Sequence, residues 1–174
     1  GLGDVYKRQV QNIVGAIAVA NTLGVPFADL VMPVKRLECV PHRLQIIKGT
    51  NKTIIDDAFN SNPTGAKAAL DTLAVFEGFK ILVSPGMVEL GEKEYELNKR
   101  FGEQAAEICD FVIAVGERQA VPIVDGLKAK GYPEEKTYVA KNLNEALAKV
   151  ENIKTGGEKK IVLLENDLPD NYSE

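Results

Sequence analysis

The sequence predicts an α/β fold built as a doubly wound, mostly parallel sheet with an antiparallel hairpin at one edge. Strand-like and helix-like segments alternate along most of the 174 residues. The strand-like segments are short and entirely apolar, as in Phe111–Val115, so both of their faces need cover. Helices on the two sides of a parallel sheet give that cover.

The amino-terminal part stands apart from this alternation. Gly1–Gln9 are polar and fit no later pattern, and we interpret them as a non-native leader. From Val10 onward apolar residues recur at helical spacing up to Gly24, which predicts a buried helix. Val25–Val40 contains prolines and little periodicity, which is typical of a connector, so the main domain is expected to span residues 41–174.

The main domain has clear local signals. Gly49 and Asn51 favour a hairpin turn, Asn62 precedes a proline as a helix N-cap, and Asn142 with Glu145 predicts a reciprocal capping pair. The predicted elements are strands Leu44–Ile47 and Thr53–Ile55, a helix from Pro63 towards Gly78, strand Lys80–Val83, helix Lys93–Ile108, strand Phe111–Val115, helix Arg118–Lys130, strand Thr137–Val139, a helix from Leu143 and strand Ile161–Leu164.

Composition excludes several classes of function. The formal net charge is -4, with Lys and Arg scattered among Asp and Glu, which disfavours a nucleic-acid-binding protein. Two cysteines are too few for a disulfide framework or a metal cluster, and Cys109 lies in an apolar run typical of a core. Without a membrane-spanning stretch or signal peptide, the sequence predicts a cytoplasmic protein with no membrane partner and no metal-binding side chains of its own.

Polar loops follow three of the predicted strands. Ligands of open α/β sheets bind beyond the carboxyl ends of the strands. There, Asp57 can accept two hydroxyl hydrogen bonds from a ribose, Asn60 can pair with a base edge, and Arg43 can clamp a phosphate. On residue types alone, however, turn and cap chemistry is the favoured interpretation of Asp56–Asn62, and His42 is most simply a solvated loop residue.

Two common nucleotide motifs are missing. The loop Gly86–Gly91 lacks the Gly-x-Gly-x-x-Gly spacing, so no nicotinamide or flavin cofactor is indicated. The sequence also has no Gly-x-x-x-x-Gly-Lys-Ser/Thr segment, so this chain cannot by itself hold ATP phosphates as a P-loop does. We assign no catalytic residue.

A combination of motifs resembles the Mur ligase family. Ile54–Pro63, followed by an Ala/Leu-rich helix and the loop Gly86–Gly91, is similar to the signature of that family's third, Rossmann-like domain, in the version of the members that add D-alanyl-D-alanine. Pro41–Arg43 resembles the arginine motif that opens this domain, and Gln11–Ile13 resembles the last helix of the central ATPase domain. The resemblance covers most of Val10–Leu164 and reverses the preference for turn and cap chemistry.

The resemblance implies an ATP- and Mg²⁺-dependent amide-bond ligase of peptidoglycan precursor synthesis. Such an enzyme phosphorylates a carboxylate of a UDP-muramoyl-peptide, and an incoming D-alanyl-D-alanine or amino acid displaces the phosphate. Residues 10–40 would end the central domain and link it to this one, and the chain alone, lacking its amino-terminal and central domains, would be inactive. The implied nucleotide-binding residues are Asn12, Arg43, Asp57 and Asn60, and the implied substrate-binding residues are Ser61, Asn62 and Glu89.

Three places depart from the family pattern. Gly15 stands where members often have a second Asn, Asn98 where many have His, and the acidic segment Glu165–Tyr172 where the dipeptide-adding members have Lys-Gly-Ser. The resemblance to the family is therefore stronger than that to one substrate class. Two alternatives stay open, namely a glutamate-adding or folylpolyglutamate-type ligase, and a stand-alone, non-catalytic nucleotide- or partner-binding module.

Overall fold

The protein folds around one six-stranded sheet. The computed structural model describes residues 2–37 and 40–166. The strand order is β1-β2-β6-β3-β4-β5, in which β1 pairs antiparallel with β2 at one edge and the other neighbours are parallel. This confirms the predicted sheet with its edge hairpin. The strands are β1 Gln45–Lys48, β2 Lys52–Asp57, β3 Phe79–Ser84, β4 Phe111–Val115, β5 Thr137–Ala140 and β6 Lys160–Glu165.

Helices cover both faces of this sheet. Three helices pack on one face and the last helix packs on the other, so the doubly wound architecture is confirmed. The predicted boundaries in the main domain are mostly within two residues of those observed. The helices are α1 Leu2–Thr22, α2 Phe27–Lys35, α3 Pro63–Ala74, α4 Glu94–Ile108, α5 Ala120–Ala129 and α6 Leu143–Asn152, with short 3-10 turns at Gly91–Lys93 and Glu134–Lys136.

The buried hydrophobic residues form two clusters, one on each face of the sheet, because successive side chains of a strand point to opposite faces. Leu82 and Val112 point to the face of α3, α4 and α5, while their neighbours Ile81 and Ile113 point to the face of α6. All four side chains are at most 1% exposed, which explains why these strands read as continuous apolar runs. Cys109 is also buried among the core residues, as predicted.

The amino-terminal part differs from its prediction. Helix α1 begins at Leu2, eight residues before the predicted start at Val10. The sequence predicts a buried helix, but Val10, Val14 and Val19 are 54, 56 and 62% exposed, because within the described ranges the helix packs mainly against α2 and α3. Helical spacing predicts an apolar face but does not show what covers it.

The predicted connector contains a helix that proline content concealed. Pro26 stands at the N-cap of α2, next to the first turn, where the fixed φ of proline is tolerated. Pro33 lies near the carboxyl end of this nine-residue helix. None of the helices in residues 2–37 and 40–166 is long and apolar enough to cross a membrane.

Capping side chains behave largely as predicted. The Asn62 side chain accepts hydrogen bonds from the backbone amides of Thr64 and Gly65 at 3.2 and 3.0 Å. The Asn142 side chain accepts one from the amide of Glu145 at 3.0 Å. The predicted reciprocal bond is wrong, because the Glu145 carboxylate accepts instead from the amide of Lys141 and the hydroxyl of Tyr138.

Candidate functional site

The candidate site lies where the order of the strands along the sheet reverses relative to their order in the chain. Strand β6 is inserted between β2 and β3. The chain leaves β2 through α3 on one face and reaches β6 from α6 on the other, an arrangement that opens a crevice at the carboxyl ends of the strands. The β2–α3 loop (residues 58–62) and the β3–α4 loop (residues 85–90) therefore flank the end of β6.

The last residue of β6 joins these two loops. The Glu165 carboxylate accepts one hydrogen bond from the hydroxyl of Ser61 and a second from the hydroxyl of Ser84 at 2.7 Å. Glu165 is 1% exposed, and this burial raises the pKa of its carboxyl above the ordinary value, although the two serines oppose the shift. The carboxylate thus bridges the β2–α3 loop and the end of β3.

Asn166 reinforces the same connection. Its backbone amide donates to the carbonyl of Asp57 at 3.2 Å, and its side-chain Nδ2 donates to the carbonyl of Gly86 at 2.7 Å. Its φ of 60° lies in the left-handed region, which asparagine tolerates better than most residues. The end of β6 is consequently tied to both flanking loops through backbone and side chain.

Asp57 stands at the end of β2 with a perturbed carboxyl group. Its Oδ1 accepts a hydrogen bond from the backbone amide of Leu44 at 3.0 Å. Partial burial raises the pKa of Asp57 to about 6, against the lowering effects of the Leu44 amide and of Arg43, and the neighbouring Asp56 adds to the rise. Among the described residues no hydrogen bond engages its Oδ2, so this oxygen can accept a ligand hydroxyl.

The carboxyl ends of β2, β3 and β6, with the loops beside them, form the rim of the candidate site. Arg43 lies over an aromatic ring at this rim. Its guanidinium carbon lies 4.2 Å from the centroid of the Phe59 ring, a cation–π contact. The residues on either side of Arg43, His42 and Leu44, both adopt positive φ, 59° and 50°. A hydrogen bond of 2.9 Å between His42 Nδ1 and Asp56 Oδ2 supports this strained turn. The His42 side chain is 58% exposed, as expected of a solvated loop residue.

A buried asparagine supports the β3–α4 loop. The Asn98 side chain accepts from the amide of Met87 at 2.7 Å and donates to the carbonyls of Met87 and Glu94 at 2.8 and 3.0 Å. Gly86 packs so closely that a Cβ there would lie 2.6 Å from Asn98 Oδ1. Asn98 therefore has a structural role under the loop.

The structure brings most of the predicted site residues to one rim, but not all of them. Asp57, Asn60, Ser61 and Asn62 follow β2, and Arg43 lies over Phe59 of the same loop. Turn and cap chemistry, which residue types favour, is present in this segment, because Asn62 is a helix cap and Asp56 accepts from the amide of Ala58 at 3.2 Å, as in an Asx turn.

Two predicted site residues come from other segments of the chain. Glu89 is exposed in the β3–α4 loop, at a φ of 62°. Asn12 is exposed on α1, and no hydrogen bond or ion pair in the described part of the chain links it to the strand-end loops. The third predicted loop, residues 116–118, follows β4. In the sheet β4 is separated from β6 by β3.

Sequence reasoning missed three residues of the rim. Phe59 holds Arg43, while Ser84 and Glu165 form the bridge between the loops. Ser84 and Glu165 have one local signal in common, since each is a polar residue that ends a strand directly after an apolar run, Ile81–Val83 and Ile161–Leu164. In the sequence Glu165 stands out only as a departure from the family pattern.

The rim suits the nucleoside part of a nucleotide better than its metal-bound phosphates. Asp57 offers a hydroxyl acceptor, and Arg43 offers a planar cation for one phosphate. In residues 2–37 and 40–166 no cluster of three or more His, Cys, Asp or Glu is placed to hold a metal ion. The described residues therefore offer contacts for a ribose and for one phosphate, and a set of metal ligands is not among them.

Comparisons with known proteins agree with this geometry. The family described as "Mur ligase, glutamate ligase domain" matches residues 42–164. The UDP-N-acetylmuramoyl-tripeptide--D-alanyl-D-alanine ligase of Haemophilus influenzae is 28% identical over 135 residues, which are 76% of this chain and 29% of that protein.

Solved structures extend the comparison to the fold. A crystal structure of MurF from Acinetobacter baumannii superposes with a TM-score of 0.78 at 28% identity, covering 91% of this chain and 34% of that one. MurF ligase from Thermotoga maritima in complex with ADP gives a TM-score of 0.66 at 27% identity, covering 91% of this chain and 34% of that one. This chain spans about a third of the length of these relatives. It belongs to the Mur ligase family.

Proposed function

We propose that this chain is the carboxyl-terminal part of a cytoplasmic, ATP-dependent amide-bond ligase of peptidoglycan precursor synthesis. The full-length enzyme would join a UDP-muramoyl-peptide to an incoming D-alanyl-D-alanine or amino acid. The observation that supports this most directly is the rim at the end of β6, where Glu165 joins the β2–α3 and β3–α4 loops. These loops, together with Arg43 and Asp57 beside them, offer groups suited to a nucleotide and to an amine substrate.

The nucleotide side of the proposed site consists of Arg43, Asp57 and Asn60. The open Oδ2 of Asp57 would accept a hydrogen bond from a ribose hydroxyl. Arg43, which lies over the Phe59 ring, would neutralise charge on a phosphate. Asn12 is proposed as a further nucleotide contact, contributed from α1. The Thermotoga maritima relative has been solved with ADP, which supports a nucleotide at this fold.

The amine side consists of Ser61, Asn62 and Glu89. Asn62 uses its Oδ1 in the α3 cap, which leaves its Nδ2 as a donor for a substrate carboxylate or carbonyl. Glu89 is an exposed carboxylate that can attract an ammonium group. This side positions the incoming amine and supplies no nucleophile.

The remaining parts of the active site would come from the rest of the full-length protein. Mg²⁺ neutralises phosphate charge during acyl-phosphate formation, and its ligands and the P-loop are proposed to lie in a central domain. The exposed apolar residues of α1, among them Val14 and Val19, suit packing within such a domain, of which α1 is proposed to be the last helix, since exposed apolar patches of this kind mark interfaces.

Phosphate release by the full-length protein tests the proposal. With ATP, Mg²⁺ and a UDP-muramoyl-tripeptide present, we expect release to depend on D-alanyl-D-alanine or on a single amino acid. Assaying the two kinds of amine separately decides between the substrate classes. Release that needs neither the muramoyl-peptide nor any amine would contradict the proposal.

A further inference from the structure

Two adjacent residues hold the strand-end loops in one arrangement. Glu165 accepts hydrogen bonds from Ser61 and Ser84, and Asn166 connects the backbone of Asp57 with the carbonyl of Gly86. Ser61 and Ser84 lie 104 and 81 positions before Glu165 in the sequence. The end of β6 therefore acts as a junction between two loops. The strands that precede these loops, β2 and β3, are not hydrogen-bonded neighbours in the sheet.

The two sides of the rim depend on this junction to different degrees. Asp57 belongs to β2 and is held independently by the amide of Leu44. The hydroxyl of Ser61, by contrast, has no other hydrogen bond in the described residues than the one to Glu165. Loss of the Glu165 carboxylate would therefore release Ser61 while leaving Asp57 in place.

The same carboxylate orders the beginning of the β3–α4 loop. Ser84 donates to Glu165 and at the same time accepts from the amide of Gly86 at 2.9 Å. The carbonyl of Gly86 in turn accepts from Asn166. Without the carboxylate the Ser84 hydroxyl can rotate, and the path of the loop towards Glu89 is less restricted.

Stability alone does not explain a carboxylate at this place. Glu165 is 1% exposed, and burying a charge costs free energy that hydroxyl donors only partly return. An apolar side chain of similar volume at the end of a buried strand is typically as stable or more stable. A costly polar group in such a position indicates a role in placing other groups.

We propose that Glu165 is a positioning residue for the incoming amine substrate, because it holds Ser61 and the start of the β3–α4 loop in fixed relation to each other. This inference rests on the proposed ligase function. It predicts that Glu165 affects the KM of the amine and leaves the KM of ATP nearly unchanged, since Arg43 and Asp57 are anchored separately.

Two substitutions in the full-length protein test the inference. Glu165→Leu removes both hydrogen bonds without burying a charge, and Glu165→Gln keeps the shape and one carbonyl acceptor. We expect the amine KM to rise about tenfold or more in Glu165→Leu and by a smaller factor in Glu165→Gln, with the ATP KM within about twofold of wild type. If Glu165→Leu does not fold, Ser84→Ala breaks the same bridge from the other side and should show the same selective effect.

Glu151→Gln is the matched control. Glu151 forms an exposed ion pair with Lys52 at the opposite end of β2, so its loss should leave both KM values unchanged. An unchanged amine KM in Glu165→Leu, or an equal rise in both KM values, would overturn the positioning role.

Hydrogen–deuterium exchange separates this inference from the ligase proposal. In Glu165→Leu we expect faster amide exchange in residues 58–62 and 85–90 together, with β4 unchanged. That result supports a junction even if the wild-type protein shows no amine-dependent phosphate release, in which case only the proposed ligase function would fail. Unchanged exchange in both loops would refute the junction whatever the activity.

Discussion

The backbone amide of Leu44 donates to Oδ1 of Asp57 at 3.0 Å, which joins the strained turn before β1 to the end of β2. This bond uses one carboxylate oxygen of Asp57 and leaves the other without a hydrogen bond in the described residues. It also places Arg43, the residue before Leu44, beside the Asp57 carboxylate, where its charge lowers the pKa of that group. One backbone contact thus brings together Asp57, the proposed acceptor for a ribose hydroxyl, and Arg43, the proposed phosphate-binding cation.

Asp57→Asn is expected to weaken nucleotide binding while stabilising the fold. Asparagine keeps the acceptor for the Leu44 amide but replaces the open carboxylate oxygen, so we expect the KM of ATP to rise roughly five- to tenfold, the loss of one hydrogen bond to a charged group. Removing a partly buried charge should raise the free energy of unfolding at neutral pH by about 1 kcal/mol, after discounting for partial exposure. Steady-state kinetics and urea unfolding measure the two effects.

Asp71→Asn is the control for this substitution. Asp71 is paired with Lys67 on the surface of α3, far along the helix from the rim, and surface pairs contribute little. Its ATP KM should equal that of the wild type. An Asp57→Asn protein with wild-type ATP dependence would remove Asp57 from the site.

The raised pKa of Asp57 predicts two opposite pH effects. The folded carboxyl keeps its proton up to about pH 6, against 3.8 as the ordinary value. Between these values the native state binds more protons than the unfolded state, so the free energy of unfolding decreases as pH rises through this window and the cost is complete above about pH 6.

Nucleotide binding should change in the other direction. Protonated Asp57 is a poorer acceptor, so the ATP KM should rise as the pH falls below about 6. Urea unfolding and ATP titration of the wild type and of Asp57→Asn over about pH 5 to 7.5 check both effects. If the two proteins have parallel profiles, Asp57 is not the titrating group.

Arg43→Ala should reduce turnover strongly, and Phe59→Leu should do so mildly. A charge-assisted phosphate contact contributes about 1.5 to 3 kcal/mol, so Arg43→Ala is expected to lower kcat/KM for ATP roughly 10- to 150-fold. Phe59 lies 4.2 Å below the guanidinium, and an exposed cation–π contact is worth about 0.5 to 1 kcal/mol, or a few-fold. Equal losses in the two variants would show that Phe59 contacts the nucleotide itself.

The sheet was predictable from the sequence because its determinants are local. A strand buried on both faces is a short apolar run, and Asn62 caps α3 through amides two and three residues away. The junction at Glu165 was not predictable, because its partners Ser61 and Ser84 are 104 and 81 residues distant. Likewise, α2 was hidden because Pro33 suggested a break, and the periodicity of α1 showed its apolar face but not its exposure.

Two glycines set the close approach of α4 and α5. A Cβ at Gly126 would lie 2.0 Å from the carbonyl oxygen of Lys99, and one at Gly102 would lie 2.2 Å from the carbonyl oxygen of Ile123. These neighbours are backbone atoms, so the clash can be relieved only by moving the helices apart. We therefore expect Gly126→Ala to lower the free energy of unfolding by about 3 kcal/mol, measured by urea unfolding.

Gly15→Ala provides the contrast within the same protein. Gly15 also lies inside a helix, α1, but a Cβ there would have no neighbour within 4 Å. Alanine should then stabilise the helix by about 0.5 to 1 kcal/mol because it loses less conformational entropy than glycine. The opposite signs of the two glycine-to-alanine changes would show that helix contact, and not helix propensity, determines the residue at position 126. Equal destabilisation in both variants would contradict the packing of α4 on α5.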